Sequence, residues 1–297
     1  MRTATRAPPR FARVTSRPVL LVLVGIISVQ LGAAVAKDLF TVVPPTAVVL
    51  LRLVTSAVLL VAIARPVLRG RTRQDWLVVA GFGVSLGAMN WAIYESFARI
   101  PLGVAVTIEF IGPLALAVIG SRRPRDLAWV VLAGGGVLLL GFERTSLDPV
   151  GVAFAVLAGV SWASYILLSA STGRRWPGLY GLAVASVVAT VLVAGPGIAL
   201  AGSDLLDTRV LVIGALVGVF SSVIPYSCEM VALRSLRPST FGILMSLEPA
   251  AAALAALVVL RELLTPLQWL AMGLVVAASI GATRSGATTA LSEPVPD

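Results

Sequence analysis

The chain contains no histidine and a single cysteine, Cys228. Without histidine it lacks the commonest metal ligand and the commonest general base. One cysteine excludes an intrachain disulfide and any paired-thiol metal site. Charge is also scarce: Asp, Glu, Lys and Arg make up 12% of residues, against about 25% in soluble domains. Such a chain cannot cover a water-facing surface. No loop between apolar runs is long enough to house a catalytic cluster, so an integral membrane enzyme is a distant alternative. Neither a cofactor nor a metal is expected.

Hydrophobic length takes the place of charge. The sequence is 58% hydrophobic, with mean hydropathy +0.97. Charge-free runs at 149–173, 176–203, 210–228 and 263–283 reach the roughly 17–25 residues that span a bilayer. The pattern predicts an all-α integral membrane protein with ten transmembrane helices: 18–36, 45–64, 76–98, 100–120, 127–142, 149–170, 178–200, 209–233, 238–260 and 265–283. The first run is read as a span and not as a signal peptide, because further spans follow at once and no small-residue cleavage site stands out. Residues 1–17, with five arginines, form a basic disordered tail, and 285–297 a polar C-terminal tail.

The net charge of +9 needs no nucleic acid to explain it. With the N-terminus placed inside, the inner segments carry 17 of the 23 Lys and Arg residues and the outer segments five. Only Arg52 falls within a span. This positive-inside bias predicts that both termini are cytoplasmic.

The two halves echo each other. Residues 98–141 and 235–281 share a Pro-containing turn, a span holding Glu and Pro, a charged turn with Pro, and a Gly-containing last span. This suggests a first five-helix repeat at 18–142 and a second at 149–284. Five is odd, so the second repeat runs inverted through the membrane, an arrangement suited to alternating access around a midplane site.

Glu109 and Glu248 occupy corresponding places in the two repeats, each in an apolar run with Pro close behind (Pro113, Pro249). A carboxylate facing lipid at mid-span costs about 2.5–3.5 kcal/mol on insertion scales, so intramembrane acids usually face the bundle interior or a wet cavity. Helical spacing places further polar or aromatic side chains on shared faces. These are Gln30 in span one, Asn90 and Tyr94 in span three, Trp162, Tyr165 and Ser169 in span six, Ser222, Tyr226 and Glu229 beside Pro225 in span eight, and Phe241 and Met245 with Glu248 in span nine. Spans one, three, four, six, eight and nine are expected to surround a central cavity. The others are expected to be scaffold, apart from Arg52.

Each residue also has a plainer reading. Trp162 and Tyr165 can anchor at the membrane interface, and Lys37 can snorkel outward from its helix end. Glu95 can be a rim charge. Arg52 can pair with an acid such as Asp38. Pro113, Pro225 and Pro249 can be simple kinks, and the glutamates can be structural. Lys37 and Arg52 are retained as candidate gating or ion-pair residues.

The stretch from Gly83 through Asn90-Trp and Tyr94, on through Pro101-Leu-Gly-Val-Ala and Glu109-Phe-Ile-Gly-Pro113 to Ser121-Arg-Arg-Pro124, resembles the bacterial threonine/homoserine exporters. These form part of the EamA-type branch of the drug/metabolite transporter superfamily. The likeness extends to Val29-Gln30, Ala36-Lys37-Asp-Leu-Phe, Ile224-Pro225-Tyr226-Ser-Cys-Glu229-Met, Phe241-Gly242, Met245-Ser-Leu-Glu248-Pro249 and Glu262 with Thr265-Pro266. Arg261 stands where the family usually has Gly before this last Glu. The resemblance implies a ten-helix inverted-repeat fold and export of small neutral amino acids across the bacterial cell inner membrane. Aromatic amino acids, purines or other metabolites are alternative cargoes. In that setting Glu109, Glu229 or Glu248 would hold the substrate ammonium. Asn90, Tyr94, Tyr226 and backbone N–H groups near Pro225 or Pro249 would hold its carboxylate, with Trp162, Phe241 and Met245 as apolar wall. A proton is the candidate coupling ion, since a carboxylate kept from water can take up and release one during transport.

Overall fold

In the computed structural model the described residues are 16–119, 127–140, 147–233 and 244–290. They form helices joined by short turns, with no strand among them. Six helices are long and apolar enough to cross a membrane, and four shorter apolar ones accompany them. Large apolar side chains cover the outer faces, among them Leu20, Ile27, Val58, Val131 and Val191. Such a surface suits lipid, where helices satisfy every backbone hydrogen bond internally.

Local chemistry sets the ends. Helix α1 (Ser16–Asp38) runs into a short turn, and α2 (Pro45–Ala64) starts with proline at its first position, where the missing N–H is harmless. Helix α3 (Arg73–Phe97) opens on a capping box. The Asp75 N–H donates to Thr72 Oγ1 at 3.2 Å and the Thr72 N–H to Asp75 Oδ2 at 3.0 Å. Helix α7 (Pro149–Arg175) is capped by Asp148 and α9 (Thr208–Gly218) by Asp207. Helix α6 (Leu127–Leu140), α8 (Tyr180–Ala201) and α12 (Pro266–Ala290) complete the longer elements.

The span expected at 100–120 is an apolar helical stretch with a lapse of one residue, Phe110, whose φ and ψ stay helical. It divides into α4 (Leu102–Glu109) and α5 (Ile111–Ile119), parted at Phe110. Pro113 has no N–H to give the Glu109 carbonyl four residues earlier, so the ladder lapses there. In the second half α11 (Glu248–Ala255) likewise begins at its glutamate, with Pro249 in its first turn. The expected eighth span is irregular too. A π-helical turn, Val219–Val223, separates α9 from α10 (Ile224–Leu233). Of the expected ninth span, residues 238–243 lie outside the described set.

The packing pairs elements across the two halves. Helix α3 lies on α7 and α1 on α10, α2 on α8, α6 on α12, and α4 on α11. Small residues permit the close approaches. Gly103 of α4 meets Ala253 of α11, and Gly112 of α5 lies directly against Gly159 of α7.

Candidate functional site

Between the helices lies a cavity of about 490 Å3, inside the roughly 300–1,000 Å3 range of small-molecule sites. Both halves build it. From the first come Gln30, Asn90, Tyr94, Glu109 and Pro113, and from the second Trp162, Tyr165, Pro225, Tyr226, Met245 and Glu248. Arg52 of α2 joins them. Two expected site residues remain: Phe241 is outside the described residues, as is the side chain of Glu229. Pro249 is buried in the first turn of α11, one residue past the cavity-lining Glu248.

Glu109 stands at the break between α4 and α5, only 8% exposed. Its carboxylate makes no hydrogen bond or salt bridge among the described residues. Its carbonyl, freed by Pro113, lies against α7, where a β-carbon at Gly159 would come within 2.7 Å of it. The site therefore has a carboxylate at a helix break braced by a glycine. The aromatic wall is ordered by ring contacts: Trp162 meets Phe110 edge-on at 5.5 Å, and Tyr165 lies 5.0 Å from Phe82. Both rings border the cavity. Asn90 is 1% exposed and donates from Nδ2 to the Leu86 carbonyl of its own helix at 2.8 Å.

Arg52 does not pair with Asp38. It reaches instead into the irregular eighth span. Its Nε donates to Ser222 Oγ at 3.0 Å, Nη2 to the Ser221 carbonyl at 2.7 Å and Nη1 to Tyr94 OH at 3.3 Å. The cause is Pro225. It offers no N–H to the carbonyl four residues back, Ser221, nor to the one five back, Phe220, which a π-turn would use. Arg52 supplies the first missing donor. Ser28 of α1 supplies the second, its Oγ donating to the Phe220 carbonyl at 2.7 Å. Pro225 is therefore more than a kink: it recruits two side chains from other helices. The guanidinium also lies 5.4 Å from the Tyr94 ring centre, in reach of a cation–π contact. Its charge acts on Glu109 through space without closing to a salt bridge.

Lys37 does not snorkel outward. It turns inward to Glu262 Oε1 at 2.6 Å and to the Ile100 carbonyl at 3.0 Å, while the Leu102 N–H donates to Glu262 Oε2 at 3.1 Å. Glu95 bridges to Arg99 at 2.7 Å and accepts from Thr46 Oγ1 at 2.8 Å. Away from this cluster, Arg175 bridges to Asp75 at 3.2 Å, and Arg71 donates to the Arg175 carbonyl while lying 4.4 Å over Trp176.

Two polar cavity residues, Ser221 and Ser279, escaped the sequence reading. Ser221 lines the wall where the helical wheel points to Ser222, because the π-turn adds a residue and rotates the face. Ser279 on α12, bonded from Ser246 at 2.7 Å, carries only the weak signal of a hydroxyl in an apolar run.

A helical bundle with apolar outer faces around a cavity holding opposite charges has the build of a membrane transport protein, and the chain belongs to the EamA-like transporter family, which its residues 149–284 match. It is 42% identical over 269 residues to the threonine/homoserine exporter RhtA of Escherichia coli K12, covering 90% of this chain and 91% of that protein. The Salmonella typhimurium LT2 exporter of the same name is 42% identical over 272 residues, with the same coverage. The uncharacterized transporter YwfM of Bacillus subtilis is 29% identical over 59% of this chain and 60% of its own length. One crystal structure, 19% identical, superposes with a TM-score of 0.63 over 92% of this chain and 99% of its own, which speaks to fold alone.

Proposed function

We propose that this protein exports threonine, homoserine and similar small neutral amino acids across the inner membrane by alternating access. Ten spans form two inverted five-helix repeats, 18–142 and 149–284, with both termini in the cytoplasm. The four shorter apolar helices supplement the six long ones, and the cross-half pairing of helices supports a two-fold arrangement. The identity to curated exporters over nine-tenths of the chain supports the cargo class.

Glu109 carries the reading. It is a buried carboxylate bordering a chamber of about 490 Å3, without a hydrogen bond or salt bridge among the described residues. A bare acid in such a place marks a site for a cation or a proton. The substrate ammonium fits it, with Glu248 on the opposing repeat as the second candidate. Release of a proton from Glu109 as the ammonium arrives would couple export to the proton gradient. Trp162, Tyr165 and Met245 supply the apolar wall.

The test is efflux from cells preloaded with threonine or homoserine. Expression of the wild type should speed efflux and relieve the toxicity of both amino acids. Glu109→Gln should slow efflux about tenfold to a hundredfold, the worth of a charged hydrogen bond. Full efflux by Glu109→Gln at equal membrane abundance removes Glu109 from the mechanism. Relief only of aromatic amino-acid or purine toxicity reassigns the cargo.

A further inference from the structure

The cavity holds three charged side chains, Arg52, Glu109 and Glu248, and among the described residues Arg52 forms a salt bridge with neither carboxylate. Arg52 is 6% exposed and borders the chamber. No carboxylate of the described residues lies within salt-bridge distance of it. A buried cation left this way is costly, and the plain structural purpose, capping the Ser221 carbonyl, does not require a charge. A serine does the same for Phe220 one residue away.

The hydrogen-bond inventory is specific. A guanidinium has five N–H groups. Arg52 uses one from Nε on Ser222, one from Nη2 on the Ser221 carbonyl and one from Nη1 on Tyr94. One N–H remains on each terminal nitrogen. The three engaged groups fix the plane of the guanidinium, and Arg52 borders the cavity. Paired N–H groups on the two terminal nitrogens match the two oxygens of a carboxylate.

We infer that Arg52 is the receptor for the substrate's α-carboxylate, facing the ammonium site at Glu109 within one chamber. This rests on the amino-acid export reading and adds to it the residue that recognises the acid end. A zwitterion bridging the two charges neutralises both at once. An amine without a carboxylate leaves Arg52 bare, and an acid without an ammonium leaves Glu109 bare. A substrate with a second carboxylate adds negative charge to a chamber that already holds Glu109 and Glu248. Selection for neutral over acidic amino acids follows from this arrangement.

The experiment uses the purified full-length protein in proteoliposomes. Uptake of labelled L-threonine is competed by unlabelled L-threonine, by L-threoninamide, which lacks the carboxylate, and by N-acetyl-L-threonine, which lacks the ammonium. The wild type should prefer threonine over either analogue by at least about tenfold, as sites built to bond a substrate group do. Arg52→Gln should collapse the preference over threoninamide to within about twofold while keeping the preference over N-acetylthreonine. Glu109→Gln should do the reverse. If Arg52→Gln does not fold, Arg52→Met in the Pro225→Ala background takes its place, because alanine at that position returns an N–H to the Ser221 carbonyl. A merely structural role weakens all three compounds alike and leaves the ratios unchanged. That result, in either variant, overturns the assignment of Arg52 while export stands. A wild type that carries neither threonine nor homoserine overturns the export reading itself.

Discussion

Lys37 and Glu262 meet at 2.6 Å across the two halves of the molecule, and Glu262 also accepts from the Leu102 N–H while Lys37 donates to the Ile100 carbonyl. The cluster ties the end of α1, the turn into α4 and the turn before α12. On the positive-inside topology it sits at the outer face. Its side chains are 18% and 23% exposed, so the pair is worth about 1 kcal/mol, or roughly a fivefold bias toward the arrangement in which these three chain segments are held together. Ala33 lines the cavity one turn deeper on the same helix. In a background with Cys228→Ser and Ala33→Cys, Glu262→Gln should raise thiol labelling from outside by about that factor. The charge swap Lys37→Glu with Glu262→Lys should restore only part of the closure, because it sets a carboxylate against the Ile100 carbonyl and an ammonium against the Leu102 N–H. Unchanged labelling in Glu262→Gln sinks the latch.

The partnership of Pro225 with Ser28 and Arg52 predicts non-additive energetics. Ser28→Ala leaves the Phe220 carbonyl without its donor and should destabilise the protein by about 1–3 kcal/mol. Pro225→Ala returns an N–H to that stretch. The double variant should therefore be more stable than the sum of the single changes by at least about 0.5 kcal/mol. Thermal unfolding in detergent measures it, and simple additivity contradicts the shared role.

The glycine pair at the break in the fourth span should tolerate nothing larger. A β-carbon at Gly159 would sit 2.7 Å from the Glu109 carbonyl, and one at Gly112 would run into the Gly159 backbone. Gly112→Ala and Gly159→Ala should each cost about 1–3 kcal/mol and lower export. Gly134→Ala, with no neighbour within 4 Å, should be silent or mildly stabilising. Equal effects at all three positions would falsify the packing argument.

The inverted topology is testable with the lone thiol removed by Cys228→Ser. Single cysteines at Gly70 and at Ser203 should label from opposite sides with an impermeant maleimide, Gly70 from the cytoplasm and Ser203 from outside. Labelling of both from one side contradicts an odd number of spans between them.

Much of the site is legible because charge is rare here. Glu109 and Glu248 stand out in their apolar runs, and the shared-face spacing of Asn90 with Tyr94 and of Trp162 with Tyr165 needs only a regular helix. Regularity is also where sequence reasoning fails. The π-turn at Val219–Val223 is invisible to a count of 3.6 residues per turn, so the count points to Ser222 and misses Ser221. Arg52 stands out as the lone basic residue inside a span, but its serine partner Ser222 lies 170 residues away. Two of its bonds exist only because Pro225 withholds an amide or the π-turn presents a hydroxyl. The division of α4 from α5 is hidden for a related reason: Pro113 is visible, but whether a proline bends a helix or parts it depends on what faces the freed carbonyl.

The Gly112–Gly159 contact has a mechanical meaning beyond closeness. Interlocked side chains resist sliding, because each must change rotamer to pass its neighbour. Two bare backbones present no teeth. No side chain at that contact has to change rotamer for α5 to shift against α7, and Glu109 sits on the backbone that meets it.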